Sequence, residues 1–209
     1  MVSVTSKEHN NSASPLYGLV LAGGKSIRMG HDKGIIHWHG QEQRYYAADL
    51  LLQLCTDVFI SCRPEQQNEI VPAYKTLPDN YTGSGPIVGI LSAFKMKPNV
   101  AWLVIACDLP LIDIETLQFL IQHRDPYAIA TTFESPYDGL PEPLITIWEP
   151  SADSVLQSHL SENFTCPRKA LIRNKEKVNI LKAPNPDALI NANTPDDARK
   201  VKELLSGGD

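Results

Sequence analysis

The chain has 209 residues, 43% of them hydrophobic, and a formal net charge of -5, which suits one domain with a substantial core and excludes a disordered chain. That acidic balance argues against broad binding to nucleic acid or an anionic membrane, so any basic residues that matter must act locally. No apolar run approaches the roughly 20 residues that span a bilayer, no basic-then-apolar leader opens the chain, and Cys55, Cys62, Cys107 and Cys166 form neither a CxxC pair nor, with the histidines, a zinc-ligand spacing. The expectation is a cytoplasmic protein whose thiols are structural.

Residues 1–14 are polar, rich in Ser and Asn and without periodicity, which predicts a loose tail ahead of a single domain over 15–209. Short apolar runs at 16–21, 58–62, 101–106 and 127–133 read as strands. Helical patterns at 43–54, 86–95 and 114–123 fall between them, the last opened by Asp113 and Glu115, where carboxylates suit the helix dipole. The alternation predicts a three-layer α/β/α, Rossmann-like domain with a mostly parallel sheet. Beyond it, Pro136, Pro141, Pro143 and Pro150 suggest an excursion from the sheet, with a strand at 144–148 and short helices at 155–160 and 168–172. A stronger amphipathic helix at 196–205 starts from Thr194 as cap and Pro195 in the first turn.

In such a fold ligands collect beyond the carboxyl ends of the strands. The first strand runs directly into Leu21-Ala22-Gly23-Gly24-Lys25-Ser26-Ile27-Arg28-Met29-Gly30-His31-Asp32-Lys33. Paired glycines let bare backbone approach a phosphate chain, and Arg28 and Lys33 add fixed positive charge. Although Gly24-Lys25-Ser26 looks like the end of a P-loop, that motif needs a glycine at position 19, where Leu19 stands. A second rim group is Asp108, in the Cys107-Asp108-Leu109-Pro110 that follows the run 101–106. A lone aspartate there is commonly a cap; beside a phosphate loop it is a candidate ligand for Mg²⁺, a hard ion needing only one or two protein carboxylates.

The string from Leu21 to Lys33 resembles the signature of the nucleotidyltransferases of the molybdenum cofactor guanylyltransferase (MobA-like) family, Leu-Ala-Gly-Gly-x-Ser-x-Arg-Met-Gly-x-Asp-Lys, with every fixed position met. Further matches are Pro78-Asp79, the helix start Gly85-Pro86-Ile87-Val88-Gly89, the Cys-Asp-x-Pro at 107–110 and Asn191-Ala192-Asn193-Thr194-Pro195. The resemblance implies that Leu21, Ala22, Gly23, Gly24, Lys33, Asp79, Gly85, Gly89 and Asp108 bind the nucleotide, that Arg28, Lys33 and Asp108 are catalytic, and that Asp108 holds Mg²⁺. Asn191 and Asn193 would meet the acceptor; Arg168 either meets its phosphate or lies on a solvated helix face. Related molybdopterin cytidylyltransferases carry Ala-Gly where Gly23-Gly24 stand, which tilts the nucleotide towards GTP.

The implied reaction is transfer of GMP from GTP to molybdopterin or the molybdenum cofactor, with release of pyrophosphate. By analogy alone, the resemblance implies transient contact with a metal-inserting enzyme or a molybdoenzyme chaperone. Two departures stand beside the match. Ser61 replaces an asparagine that family members use at the nucleotide, and Pro141-Glu142-Pro143-Leu144 is a form found in part of the family. Alternatives are cytidylyl or another sugar- or alcohol-phosphate nucleotidyl transfer on the same fold, and a GTP-binding module without turnover.

Overall fold

The structure is a computed structural model that describes residues 13–23, 33–83 and 85–206, and of Lys33 the backbone alone. Residues 1–12 of the expected tail lie outside that range, as do Gly24 and Arg28. Seven strands form one sheet in the order β3-β2-β1-β4-β6-β5-β7: β1 Leu16–Leu21, β2 Val58–Cys62, β3 Lys75–Pro78, β4 Ala101–Ala106, β5 Ala130–Glu134, β6 Pro141–Trp148 and β7 Val178–Leu181. Every neighbouring pair is parallel except the two made by β6. The fold is therefore the mostly parallel α/β arrangement that the alternation of runs predicts.

Six helices complete the layers: α1 Gln43–Leu52, α2 Pro86–Met96, α3 Ile114–Gln122, α4 Ala152–Ser161, α5 Pro167–Arg173 and α6 Pro195–Ser206. Side chains alternate across each strand. Leu103 and Ile105 of β4 join Val20, Ile60, Leu51, Leu117 and Leu120 on the face covered by α1 and α3. Trp102 and Val104 join Leu19, Phe59, Ile90, Phe94, Leu156 and Leu171 on the face of α2, α4 and α5. Gly18 lets α1 approach β1, because a Cβ there would lie 3.0 Å from both Leu51 and Val58. The α3 cap is as expected, with Asp113 accepting from Thr116 N at 2.7 Å, and Thr194 Oγ1 accepts from Asp197 N at the start of α6.

The proline-rich stretch departs from its expectation. Rather than leaving the sheet, residues 141–148 form β6 between β4 and β5. Pro141 and Pro143 are tolerated because the ladder with β4 covers only Ile145 to Trp148, so their missing N–H groups leave no partner on that side unsatisfied. The excursion is confined to the hairpin 135–140. The run at 127–133 also begins later as a strand, at Ala130, because Asp125 first makes a turn in which its carboxylate accepts from Tyr127 N. Two strands escaped the sequence pattern, β3 and β7. Both are four-residue edge strands, too short to show a period, with Lys75 beside Leu77 on one face of β3 and every residue of β7 only partly buried.

At the edge away from the carboxyl ends of the parallel strands, a two-pronged ion pair ties the chain after α3 to the end of β6. Arg124 Nε and Nη2 donate to Glu149 Oε1 and Oε2 at 2.6 and 2.8 Å, and Glu149 is almost fully buried. Removing one partner would strand the other charge. Arg124→Ala is therefore expected to lower stability by about 3–5 kcal/mol, measured by urea denaturation, with Glu149→Leu in the same chain recovering much of the loss.

Candidate functional site

The parallel strands deliver their last residues to one rim, and their ladders run one residue further. Ala22 N donates to Ser61 O, Asp79 N to Cys62 O and Cys107 N to Leu21 O. Gly23, Ser61, Asp79 and Cys107 are thereby held side by side along the ends of β1 to β4. Since β1 is the point where strand order reverses, the crevice there is where such sheets bind ligands.

One half of the rim is built round Gly23. The position a Cβ would take lies 3.4 Å from Asp79 Oδ2 and 3.4 Å from Arg63 N, so the glycine lets its strand end sit against an acidic side chain. Ser61 Oγ donates to Asp79 Oδ1 at 3.1 Å. Arg63 Nη1 donates to Gly23 O at 2.7 Å and its Nε pairs with Glu65. Burial raises the Asp79 pKa above the ordinary carboxylate range, against the lowering effects of the Ser61 hydrogen bond and the Arg63 charge. Gly89, in α2, is a packing necessity: a Cβ would fall 2.6 Å from Ser61 Oγ and 2.7 Å from Leu21 Cδ2.

The other half is a cavity of about 370 Å³ lined by Asp108, Gly85, Pro86, Glu142, Pro143, Leu144, Thr165, Cys166, Pro167, Arg168, Asn191 and Asn193. Asp108 follows β4 directly, and its carbonyl accepts from Ala192 N at 2.9 Å, which seats the asparagine segment beside it. Ala192 is buried and the residues either side of it line the cavity. Gly85 stands at φ 95° just before α2, and a Cβ there would meet Thr165 O at 3.4 Å. Arg168 is not on a solvated face. Its Nη1 donates to Asp138 Oδ2 at 2.9 Å and its Nη2 to the buried Glu142 Oε1 at 2.7 Å.

The structure thus brings Asp108, Gly85, Asn191, Asn193 and Arg168 to one cavity, and Leu21, Ala22, Gly23 and Asp79 to the adjoining rim. Lys33 begins the 3-10 turn Lys33–Ile35. Sequence reasoning missed Arg63, whose signal was a basic residue immediately after a strand. It also missed the role of Gln43 at the start of α1, whose buried Nε2 donates to Leu109 O at 3.1 Å. His39 Nε2 lies 2.7 Å from Pro110 O, its ring stacked on Tyr46. These groups fix the segment that carries Asp108; nothing in their spacing announces it.

The candidate metal ligand can be judged by its donors. Among the described residues there is no group of three or more His, Cys, Asp and Glu that could cage an ion. The cavity's charged lining is Asp108 and Glu142 against Arg168. A single rim carboxylate suits Mg²⁺, which takes its remaining oxygens from water and substrate phosphates. The thiols divide: burial pushes Cys55 up to about 12 and Cys62 up to about 11, and Cys107 is buried, whereas Cys166 is exposed at the cavity, contrary to the expectation of four inert thiols.

A mostly parallel sheet with a glycine strand end, a rim carboxylate and an asparagine pair at one crevice defines a nucleotide-binding α/β enzyme. The MobA-like NTP transferase domain matches residues 18–178, and the chain belongs to that family of nucleotidyltransferases. The molybdenum cofactor biosynthesis bifunctional protein of Synechocystis sp. is 37% identical over 202 residues; the match covers 96% of this chain and 58% of that protein. This chain therefore spans little more than half the length of that relative. A Carboxydothermus hydrogenoformans protein named "Probable molybdenum cofactor guanylyltransferase" is 32% identical, over 90% of this chain and 95% of its own. The crystal structure of molybdopterin-guanine dinucleotide biosynthesis protein A from Archaeoglobus fulgidus superposes with a TM-score of 0.76 at 23% identity, covering 91% of this chain and 99% of that one. It shares the fold.

Two outcomes are expected. Because a raised folded pKa makes Asp79 costly once ionised, its burden is absent below the ordinary carboxylate pKa and grows as pH rises through the folded value. Asp79→Asn should therefore melt higher than wild type at pH 7, with the difference shrinking in thermal melts as pH falls below about 4. Iodoacetamide at pH 7 should alkylate Cys166 first and leave Cys55 and Cys62 unmodified in the folded protein, as read by peptide mass mapping.

Proposed function

We propose that the chain transfers GMP from GTP to the terminal phosphate of molybdopterin, free or carrying molybdenum, and releases pyrophosphate. The observation that carries this reading is the convergence of Asp108, Asn191 and Asn193 with Gly85 on one cavity, next to the rim of Gly23 and Asp79. It sets a cavity beside a strand-end rim, an arrangement that suits a transfer between two substrates. The names of the relatives supply the acceptor.

Gly23 and Gly24 offer bare backbone to the triphosphate, and Arg28 and Lys33 hold its charge. Asp79 would meet the nucleoside at that rim; a carboxylate there accepts from the N1–H and N2–H₂ edge of guanine, which cytosine lacks. Asn191 and Asn193 offer amide donors and acceptors to the acceptor molecule, and Arg168, fixed by two carboxylates, gives its phosphate a stationary guanidinium. The start of α2 adds the positive end of a helix dipole between the rim and the cavity.

The acceptor phosphate is a monoester with a second pKa near 6, so it is an anionic nucleophile at neutral pH and needs no strong base. Its oxygen attacks the α-phosphorus of GTP, the new P–O bond forms, and the α–β bridge breaks with its electron pair leaving on pyrophosphate. Asp108 would hold Mg²⁺, which when bound would neutralise phosphate charge and reduce repulsion between the two anions. The remaining work is positioning.

Guanylyl transfer to purified molybdopterin with Mg²⁺, with CTP as control, tests the reading; formation of the cytosine product alone overturns the base assignment. Asp108→Ala should lower kcat by roughly 100-fold or more with a much smaller change in GTP affinity. Full activity of that variant at limiting Mg²⁺ would remove Asp108 from the metal site.

A further inference from the structure

Arg63 follows β2 on the nucleotide half of the rim, and its side chain reaches to the strand end of β1. Nη1 donates to Gly23 O at 2.7 Å, and Nε donates to Glu65 Oε1 at 2.7 Å. The backbone is fixed as well, because Arg63 N donates to Gln66 Oε1 at 3.1 Å. The guanidinium is thus held at two of its nitrogens, with little freedom left to lose when a ligand arrives. Its Nη2 end carries no hydrogen bond among the described residues, and the side chain is 27% exposed.

Asp79 meets the same glycine at its Cα: Oδ2 lies 3.4 Å from the position a Cβ of Gly23 would take. Ser61 Oγ holds Oδ1, and Oδ2 carries no hydrogen bond among the described residues. Arg63 and Asp79 therefore flank one residue without pairing with each other. The cation is engaged by Glu65 and the anion by a neutral hydroxyl. Opposite charges this near gain from direct pairing. Their separate engagement instead keeps a donor fork and an acceptor oxygen side by side at the strand ends, where such a sheet binds its ligands.

One nucleobase edge matches that pair. Guanine presents, in a row, the O6 acceptor and the N1–H and N2–H₂ donors. Adenine and cytosine each carry an amino donor where guanine has O6, and an acceptor nitrogen where guanine has N1–H. We propose that Arg63 is a specificity-determining residue for the base: its guanidinium donates to O6 of guanine while Asp79 accepts from the N1–H and N2–H₂ of the same edge. This inference rests on the proposed reading that the nucleotide is GTP. With ATP or CTP an amino group meets the guanidinium and a bare ring nitrogen meets the carboxylate, so both contacts turn repulsive. Contacts to the triphosphate are common to every nucleotide, which leaves the choice of base to this pair.

The test is calorimetric binding of GTP, 6-thio-GTP, ATP and CTP to the wild-type chain and to Arg63→Met. In 6-thio-GTP a sulfur, a weak acceptor, replaces O6. Wild type should bind GTP about tenfold or more tighter than 6-thio-GTP. Arg63→Met should lose GTP affinity about 10- to 100-fold, bind GTP and 6-thio-GTP alike, and bind ATP and CTP no more weakly than wild type does. A residue that only holds Gly23 would weaken every nucleotide by one factor and keep the wild-type ratio of GTP to 6-thio-GTP; that outcome overturns the proposal, as does unchanged GTP affinity in the variant. If Arg63→Met does not fold, the two guanine nucleotides on wild type decide alone, and equal affinity overturns the contact to O6. A wild-type chain that binds ATP or CTP as tightly as GTP, or binds no nucleotide, overturns the reading beneath; failure of the Arg63 role alone leaves the wild-type preference for GTP intact.

Discussion

Because β6 runs against its two neighbours, its amino-terminal end arrives at the same rim where the parallel strands deliver their carboxyl ends. A parallel strand in that place would present its last residue there and send its beginning to the far edge. The reversal instead puts Glu142, Pro143 and Leu144 opposite the residue that follows β4, Asp108, and closes a cavity between them. It also sets the hairpin 135–140 above that cavity. Thr132 and Thr146 hold the reversed strand in place, each hydroxyl 2.5 Å from the Glu142 carbonyl where the ladder with β5 is irregular. The far end of β6 is fixed by the Arg124–Glu149 pair. The acceptor side depends on this one strand direction.

The nucleotide side depends on close approach. Gly89 allows α2 to press on Ser61 and Leu21, and Gly85 turns the same helix start towards Thr165. One helix is thus a shared wall between the rim of Gly23 and the cavity of Asp108. Ser61 does not simply leave out the asparagine contact found in relatives. Its hydroxyl is committed to Asp79, so the smaller side chain serves both the packing at Gly89 and the orientation of a carboxylate that burial makes costly to ionise. A group kept in an unfavourable environment beside a ligand site is what function, rather than stability, retains.

Much of this was legible in the chain because the chemistry sits in local strings. Gly23 and Asp108 each follow directly on an apolar run, and strand ends of a parallel sheet meet at one edge by topology alone; Asp79, Gly85 and Asn191 are read from their local motifs. The direction of β6 was not legible, since prolines at 141 and 143 read as breaks when judged without knowing that the β4 ladder starts only at Ile145. Edge strands β3 and β7 are only four residues long, too short for a period to announce them. Contacts such as Gln43 with Leu109 or Arg63 with Gly23 join residues 66 and 40 positions apart, and only the folded sheet creates them.

The charge distribution assigns different tasks to the cations. Arg168 is matched by Asp138 and Glu142, so that cluster carries one net negative charge and cannot by itself draw in a polyphosphate. Its value is geometric: two carboxylates, Asp138 the more exposed of them, hold the guanidinium at a fixed height in the cavity wall. On the proposed reading, neutralising two polyanions falls to Arg28 and Lys33 and to an ion at Asp108. On that reading, a chain of net charge -5 meets the triphosphate with local positive charge and the acceptor with shape and amides.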